Sequence, residues 1–235
     1  MAEFGYSTSI RLPICFCVDL TESMLGDGIE ETKTILRSFQ KAVSSAIDTG
    51  LCIETAVVSF SGKTKILKPF SEDPFLEKGV EYDMVGGSAS GLKALNDGLK
   101  LIQARKEQYA EMGIQYRRPW IVVISDGRFT SVKEDAQEDR VLLSQLLLAQ
   151  KNKKCWVIPI QAGDCDAKKL SFLCLSKQTL ALENLDFEKL TTTLSMSISH
   201  STARTTIERN PIDDLNKLLT KAVEWDQVRS RKGDA

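Results

Sequence analysis

The strongest constraint on the fold is a set of short, nearly continuous apolar runs: "LPICFCVDL", "WIVVISDG" and "CWVIPIQAG". They lack the in-and-out alternation of a strand with one wet face and suit strands buried on both faces of a parallel sheet. Between such runs lie stretches with a single apolar stripe at three/four spacing. These are Leu36, Phe39, Val43 and Ile47; Leu92, Leu95, Leu99 and Ile102; Leu142, Leu146 and Ala149; and Phe187, Leu190, Leu194 and Ile198. Each stripe predicts a helix lying on the sheet. Parallel strands need crossovers, and right-handed crossovers place helices on both faces, so the pattern predicts a doubly wound α/β sandwich. One pair breaks the rule. "CIETAVVSF" and "TKILKPF" are separated only by "SGK", a tight-turn signal, which predicts a hairpin and hence one antiparallel edge strand on a mostly parallel sheet. "QTLALE" is a weaker final strand.

A chain of 235 residues fits one such domain, expected over residues 1–200. Beyond it, polar "STARTTIERNP" precedes a further stripe, Ile212, Leu215, Leu219 and Val223, which predicts a C-terminal helical extension over 201–235 that docks on the domain or on a partner. The net charge of -1, with both signs interspersed, gives no electrostatic reason to expect nucleic acid or a membrane as partner. No run approaches the ~18 apolar residues of a membrane span, and "MAEFGYSTSIRLP" lacks a leader pattern. The six cysteines sit mostly in apolar runs without a Cys-x-x-Cys pair, and there is one histidine. Neither a zinc site nor a disulfide framework is indicated, and a cytoplasmic setting is expected.

Open doubly wound sheets bind ligands outside the carboxyl ends of their strands, where strand order reverses. Three polar clusters fall at such ends: Asp19-Leu20-Thr21-Glu22-Ser23, Gly86-Gly87-Ser88-Ala89-Ser90-Gly91 and Ser125-Asp126-Gly127. A hard divalent cation takes about six oxygens, of which one or two are carboxylates. Asp19 and Asp126 would supply the carboxylates and Thr21, Ser23 and Ser88 the hydroxyls, with alternate residues of an extended segment pointing Asp19, Thr21 and Ser23 the same way. Such a shell leaves the ion under-neutralised, and a partner's acidic side chain would complete it.

Other chemistries fit less well. Gly86 and Gly91 have phosphate-loop spacing, but Leu92 stands where lysine is needed, Lys93 comes one place too late, and Ala94 follows it in place of the magnesium-binding hydroxyl. A magnesium-dependent phosphohydrolase of the haloacid dehalogenase kind also begins with an Asp after its first strand, but it needs a second Asp two residues later as general acid, where this chain has Thr21. His200, the lone histidine, has no sequence companion that marks a triad. Asp19 alone could also be read as a turn or cap residue, which leaves a scaffold with a degenerate metal site as a third reading.

The set Asp19-x-Thr21-x-Ser23, Ser88 in "GGSASG" and Asp126 in "VVISDG" resembles the metal-ion-dependent adhesion site of von Willebrand factor A domains, over a stretch from about Leu12 to His200. Together with "RLPICFCVDLTESM", "IETAVVSF", "RPWIVVISDG" and "FEKLTTTLSMSISHST", the pattern is most similar to the bacterial tellurium-resistance-associated, TerY-like branch. The resemblance implies a non-enzymatic protein-binding module holding Mg²⁺ (or Mn²⁺/Ca²⁺) through Asp19, Thr21, Ser23, Ser88 and Asp126. It further implies a bacterial stress-response or conflict setting linked to protein phosphorylation, with an acidic or phosphorylated partner such as a kinase or phosphatase. Two departures keep a hydroxyl: Thr21 where the family usually has Ser, and Ser88 where it has Thr. Glu22 replaces a common Gly; facing solvent it would be inert, whereas reaching the ion it would neutralise the charge meant for a partner.

Overall fold

The computed structural model describes residues 10–45, 51–72, 91–128 and 136–180. Five strands, β1 (Ile10–Asp19), β2 (Leu51–Ser61), β3 (Lys63–Ser71), β4 (Trp120–Ser125) and β5 (Trp156–Gln161), form one sheet in the order β3-β2-β1-β4-β5. β1 pairs in parallel with both β2 and β4, and β4 with β5; β3 alone is antiparallel. The expected hairpin is therefore present at the sheet edge, closed through Gly62. Leu180, in the expected final strand, makes a parallel bridge to Ile160, with hydrogen bonds to Pro159 and Gln161. The final helix and the C-terminal extension expected over 201–235 lie outside the described residues.

The layers follow from the pleat of β1. Successive side chains on a strand point to opposite faces. Phe16 meets Phe39 of α1 (Asp27–Ser45) edge to face at 4.9 Å between centroids. Its neighbours Cys15 and Cys17 meet α2 (Gly91–Glu111), where a Cβ on Gly98 would lie 3.2 and 3.3 Å from the two sulfurs. Helices α1 and α2 thus cover opposite faces, and α3 (Ala136–Lys151) packs beside α2. A short α4 (Ala167–Ser171) follows β5. Cys15 and Cys17 are fully buried core residues, and all six cysteines are free thiols. Among the described residues, no helix is long and apolar enough to cross a membrane.

One polar network lies within these layers. The Glu54 carboxylate on β2, only 1% exposed, accepts hydrogen bonds from Tyr109 (2.5 Å) and from Arg105 Nε (2.6 Å), and Arg11 of β1 stands 3.7 Å away. Burial, and then the bond to Glu54, drive the Tyr109 hydroxyl far above its ordinary pKa; the Glu54 bond likewise holds Arg105 charged. A buried carboxylate survives because its partners supply what water no longer can. The network pins α2 to β1 and β2, the strands that set the position of Asp19.

Candidate metal centre

The neighbours of β1 are β2 on one side and β4 on the other, so the chain's winding reverses between β1 and β4. That makes the crevice above their carboxyl ends the switch point of the sheet. Register pairs Val18 with Ile124, which sets Asp19 and Ser125 side by side at the two strand ends, with Asp126 next in the chain. Asp19, Ser125 and Asp126 are all fully buried.

Asp19 is held by three donors. Its Oδ1 accepts from the Thr21 backbone N–H at 3.0 Å and from the Thr21 hydroxyl at 2.6 Å; its Oδ2 accepts from the Ser125 hydroxyl at 2.6 Å. The first bond is the local turn that an Asp side chain favours two residues before a backbone N–H. The extended alternation expected to align Asp19, Thr21 and Ser23 holds only as far as Thr21, which has extended dihedrals. The chain then enters a single 3-10 turn, Glu22–Met24, and it is this turn that brings the Ser23 hydroxyl to 3.2 Å from that of Thr21. Met24 is buried and fastens the turn against Gly28 of α1, where a Cβ would meet Met24 at 3.2 Å and Gly163 at 3.6 Å. Glu22 is exposed, so its carboxylate belongs to the rim of the crevice rather than its floor.

Asp126 is bonded more sparsely. Oδ1 accepts from the backbone N–H of Arg128 at 2.8 Å, while Oδ2 is buried with no hydrogen bond; the nearest cation is Arg128, Nε at 3.9 Å. The Arg128 guanidinium also pairs with exposed Asp164. Gly127 sets this loop. Its φ of +76° is a left-handed conformation, and a Cβ there would sit 2.6 Å from the carbonyl oxygen of Asp166, whose own N–H donates to the Asp126 carbonyl at 2.7 Å. Only glycine fits a position with both restrictions.

Among the described residues, the one cation in ion-pair range of these two carboxylates is Arg128, 3.9 Å from Asp126. Burial raises the pKa of Asp19, and the Asp126 carboxylate adds to the rise; hydrogen bonds from Ser125 and Thr21 pull the other way without cancelling it. A divalent cation would relieve both carboxylates. The donor set fits a hard ion: two carboxylates and two hydroxyls, with Asp126 Oδ2 a buried oxygen carrying no competing bond. Asp19 retains lone-pair capacity beyond its three donors, and rotation of the Thr21 O–H would free another site and turn that hydroxyl's oxygen towards the ion. Among the described residues, no three His, Cys, Asp or Glu side chains gather in metal-holding geometry, and the hydroxyls of Thr21 and Ser23 stand beside the two carboxylates.

Four of the five proposed ligands, Asp19, Thr21, Ser23 and Asp126, therefore lie at the switch point, and Ser88 lies outside the described residues. Two participants carry no sequence signal of their own. Ser125 is marked only by preceding Asp126; its hydroxyl links the loops, donating to Asp19 and accepting from the Gly127 N–H at 3.0 Å. Arg128 is marked by nothing except its place two residues after Asp126.

No model of a known protein family matches the sequence, and no curated protein sequence matches it. Solved structures do. An aerotolerance-related membrane protein from Bacteroides fragilis superposes with a TM-score of 0.53 at 11% identity, over 80% of this chain and 99% of that one. BatB from Bacteroides thetaiotaomicron gives 0.52 at 12% identity, over 83% and 100%. A von Willebrand factor type A protein from Catenulispora acidiphila gives 0.50 at 14% identity, over 83% of this chain and 42% of that one. With a β3-β2-β1-β4-β5 order, one antiparallel edge strand and helices on both faces, the chain has the von Willebrand factor A fold.

Proposed function

We propose that the chain is a non-enzymatic protein-binding module whose switch-point crevice takes Mg²⁺, or Mn²⁺ or Ca²⁺, through Asp19, Thr21, Ser23, Asp126 and Ser88. The observation that carries the reading is the pair of buried carboxylates, one of them with an unbonded oxygen, beside a pair of hydroxyls at a strand end. The ion would supply Lewis acidity and an incompletely neutralised positive charge. The residues of the chain do the rest: Ser125 and Thr21 orient Asp19, and the Gly127 turn orients Asp126. A partner's carboxylate or phosphorylated side chain is the chemistry that matches, with a protein kinase or phosphatase in a bacterial stress-response or tellurium-resistance system as the setting suggested by the TerY-like sequence pattern.

A phosphohydrolase reading would need a proton donor two residues after Asp19. Thr21 occupies that place and spends its hydroxyl proton on Asp19 itself. The test is retention of partner proteins on the immobilised full chain in Mg²⁺ against chelator, with Asp19→Ala as control and an aryl phosphate assay alongside. Retention that needs both Mg²⁺ and Asp19, with no turnover, is expected. Retention indifferent to chelator would overturn the metal claim, and Mg²⁺-dependent turnover lost in Asp19→Ala would overturn the non-enzymatic one. Equal melting temperatures with and without Mg²⁺ would favour the degenerate scaffold.

A further inference from the structure

We propose that Arg128 is the resident counter-ion of Asp126, competing with the divalent cation, and that Asp164 sets the strength of this competition by holding the guanidinium at the rim. The inference rests on the metal-site reading above and concerns how that site is regulated. Asp126 Oδ2 is the one side-chain carboxylate oxygen among the described residues that is buried without a hydrogen bond, and the one cation in ion-pair range of it among those residues is Arg128, whose Nε stands 3.9 Å away. That separation is too long for a hydrogen bond and lies at the outer limit of an ion pair. The guanidinium is prevented from closing by two restraints. Its backbone N–H is tied to Asp126 Oδ1 at 2.8 Å, and its Nη2 is drawn outwards by Asp164.

An ion taken up by Asp126 meets the positive charge of Arg128 at close range. The two cations repel each other, and the guanidinium must swing towards Asp164. It is free to do so: its side chain is 46% exposed and that of Asp164 is 93% exposed. Asp164 therefore acts chiefly through Arg128. With the acid present the arginine is parked away from Asp126; without it the arginine is released to pair with Asp126 and exclude the ion. The displaced guanidinium, with its Nη1 donors unpartnered among the described residues, is left at the rim of the crevice.

The test is Mn²⁺ binding to the full chain by electron paramagnetic resonance, with Mg²⁺ as competitor, at low ionic strength where partly exposed charges are little screened. Arg128→Gln is expected to bind Mn²⁺ about three- to tenfold more tightly than the wild type, and Asp164→Asn about threefold more weakly, as a charge pair in a partly solvated site allows. The deciding measurement is the double variant. If Asp164 works by restraining Arg128, Asp164→Asn has little effect in the Arg128→Gln background; an undiminished effect would show a simple through-space charge and overturn the proposal. Melting in chelator checks that each variant is folded, and Asp164→Asn, at an exposed side chain, secures one arm if Arg128→Gln is not. Equal Mn²⁺ affinity in wild type and both single variants would refute the role of the arginine alone. Absence of Mn²⁺ binding from the wild type and every variant would refute the metal reading beneath it.

Discussion

Replacing Asp19 by Asn should make the metal-free protein more stable while removing its response to Mg²⁺. The amide keeps the shape. Its oxygen can accept from the Thr21 N–H and hydroxyl as Oδ1 now does, and its NH₂ can donate to the Ser125 hydroxyl, which reverses its role. What is lost is a buried charge. The folded-state pKa of Asp19 lies above its ordinary value, with burial the largest cause, so the fold favours the protonated form. The stability this contributes is fully present below the ordinary carboxylate pKa and is lost as pH rises through the raised one; at neutral pH the ionised Asp19 is a net cost. Asp19→Asn should therefore be more stable than the wild type at pH 7 in chelator, and the gain should vanish in acid. Mg²⁺ at about a hundredfold over its dissociation constant should stabilise the wild type by ~2.7 kcal/mol and Asp19→Asn hardly at all. Thermal unfolding at pH 7 and in acid, with Mg²⁺ or chelator, reads all four quantities. A variant less stable than wild type in chelator, or one that keeps the Mg²⁺ shift, would refute the reasoning.

Three further outcomes follow from the same geometry. Gly127→Ala forces a left-handed conformation and a contact with the Asp166 carbonyl that would be 2.6 Å, so it should cost about 2–4 kcal/mol in chemical denaturation and abolish Mn²⁺ binding by displacing Asp126. Glu54→Ala removes the carboxylate that holds Arg105 and the Tyr109 hydroxyl, while Arg11 keeps Glu72, and should cost about 3–5 kcal/mol, whereas Tyr109→Phe, which leaves Arg105 on the carboxylate, should cost about 1–2; equal losses in denaturant melts would contradict the network described. Glu22→Gln removes an exposed charge at the rim and should change Mg²⁺ affinity by no more than about twofold at physiological salt, so a tenfold fall in a calorimetric titration would make Glu22 a ligand.

What the sequence made legible is what depends on local pattern. The apolar runs of β1, β4 and β5, the "SGK" hairpin and the stripes through Leu36, Leu95 and Leu146 each need only a few consecutive residues to be read, and the placing of helices on both faces followed from crossover handedness; the order of the strands did not. Asp19 and Asp126 were legible because each ends such a run. The local form of the Asp19 loop was not, since Thr21 and Glu22–Met24 change from extended to 3-10 geometry, with buried Met24 seated against Gly28 and Gly163. Ser125 and Arg128 were illegible for another reason. The role of Ser125 arises only when the β1–β4 register sets it beside Asp19, a pairing across more than a hundred residues that no local spacing encodes, and that of Arg128 only when Asp164, beyond β5, comes up to it. The same holds for Glu54, whose partners come from β1 and α2.

The central claim is that the β1–β4 crevice holds a divalent cation through Asp19 and Asp126. Counting Mn²⁺ bound to the full chain by electron paramagnetic resonance tests it most directly, with Mg²⁺ competition and the variants Asp19→Ala and Asp126→Ala. The account predicts one ion per chain, displaced by Mg²⁺ and lost in both variants; no bound ion in the wild type, or an ion kept in either variant, would contradict it.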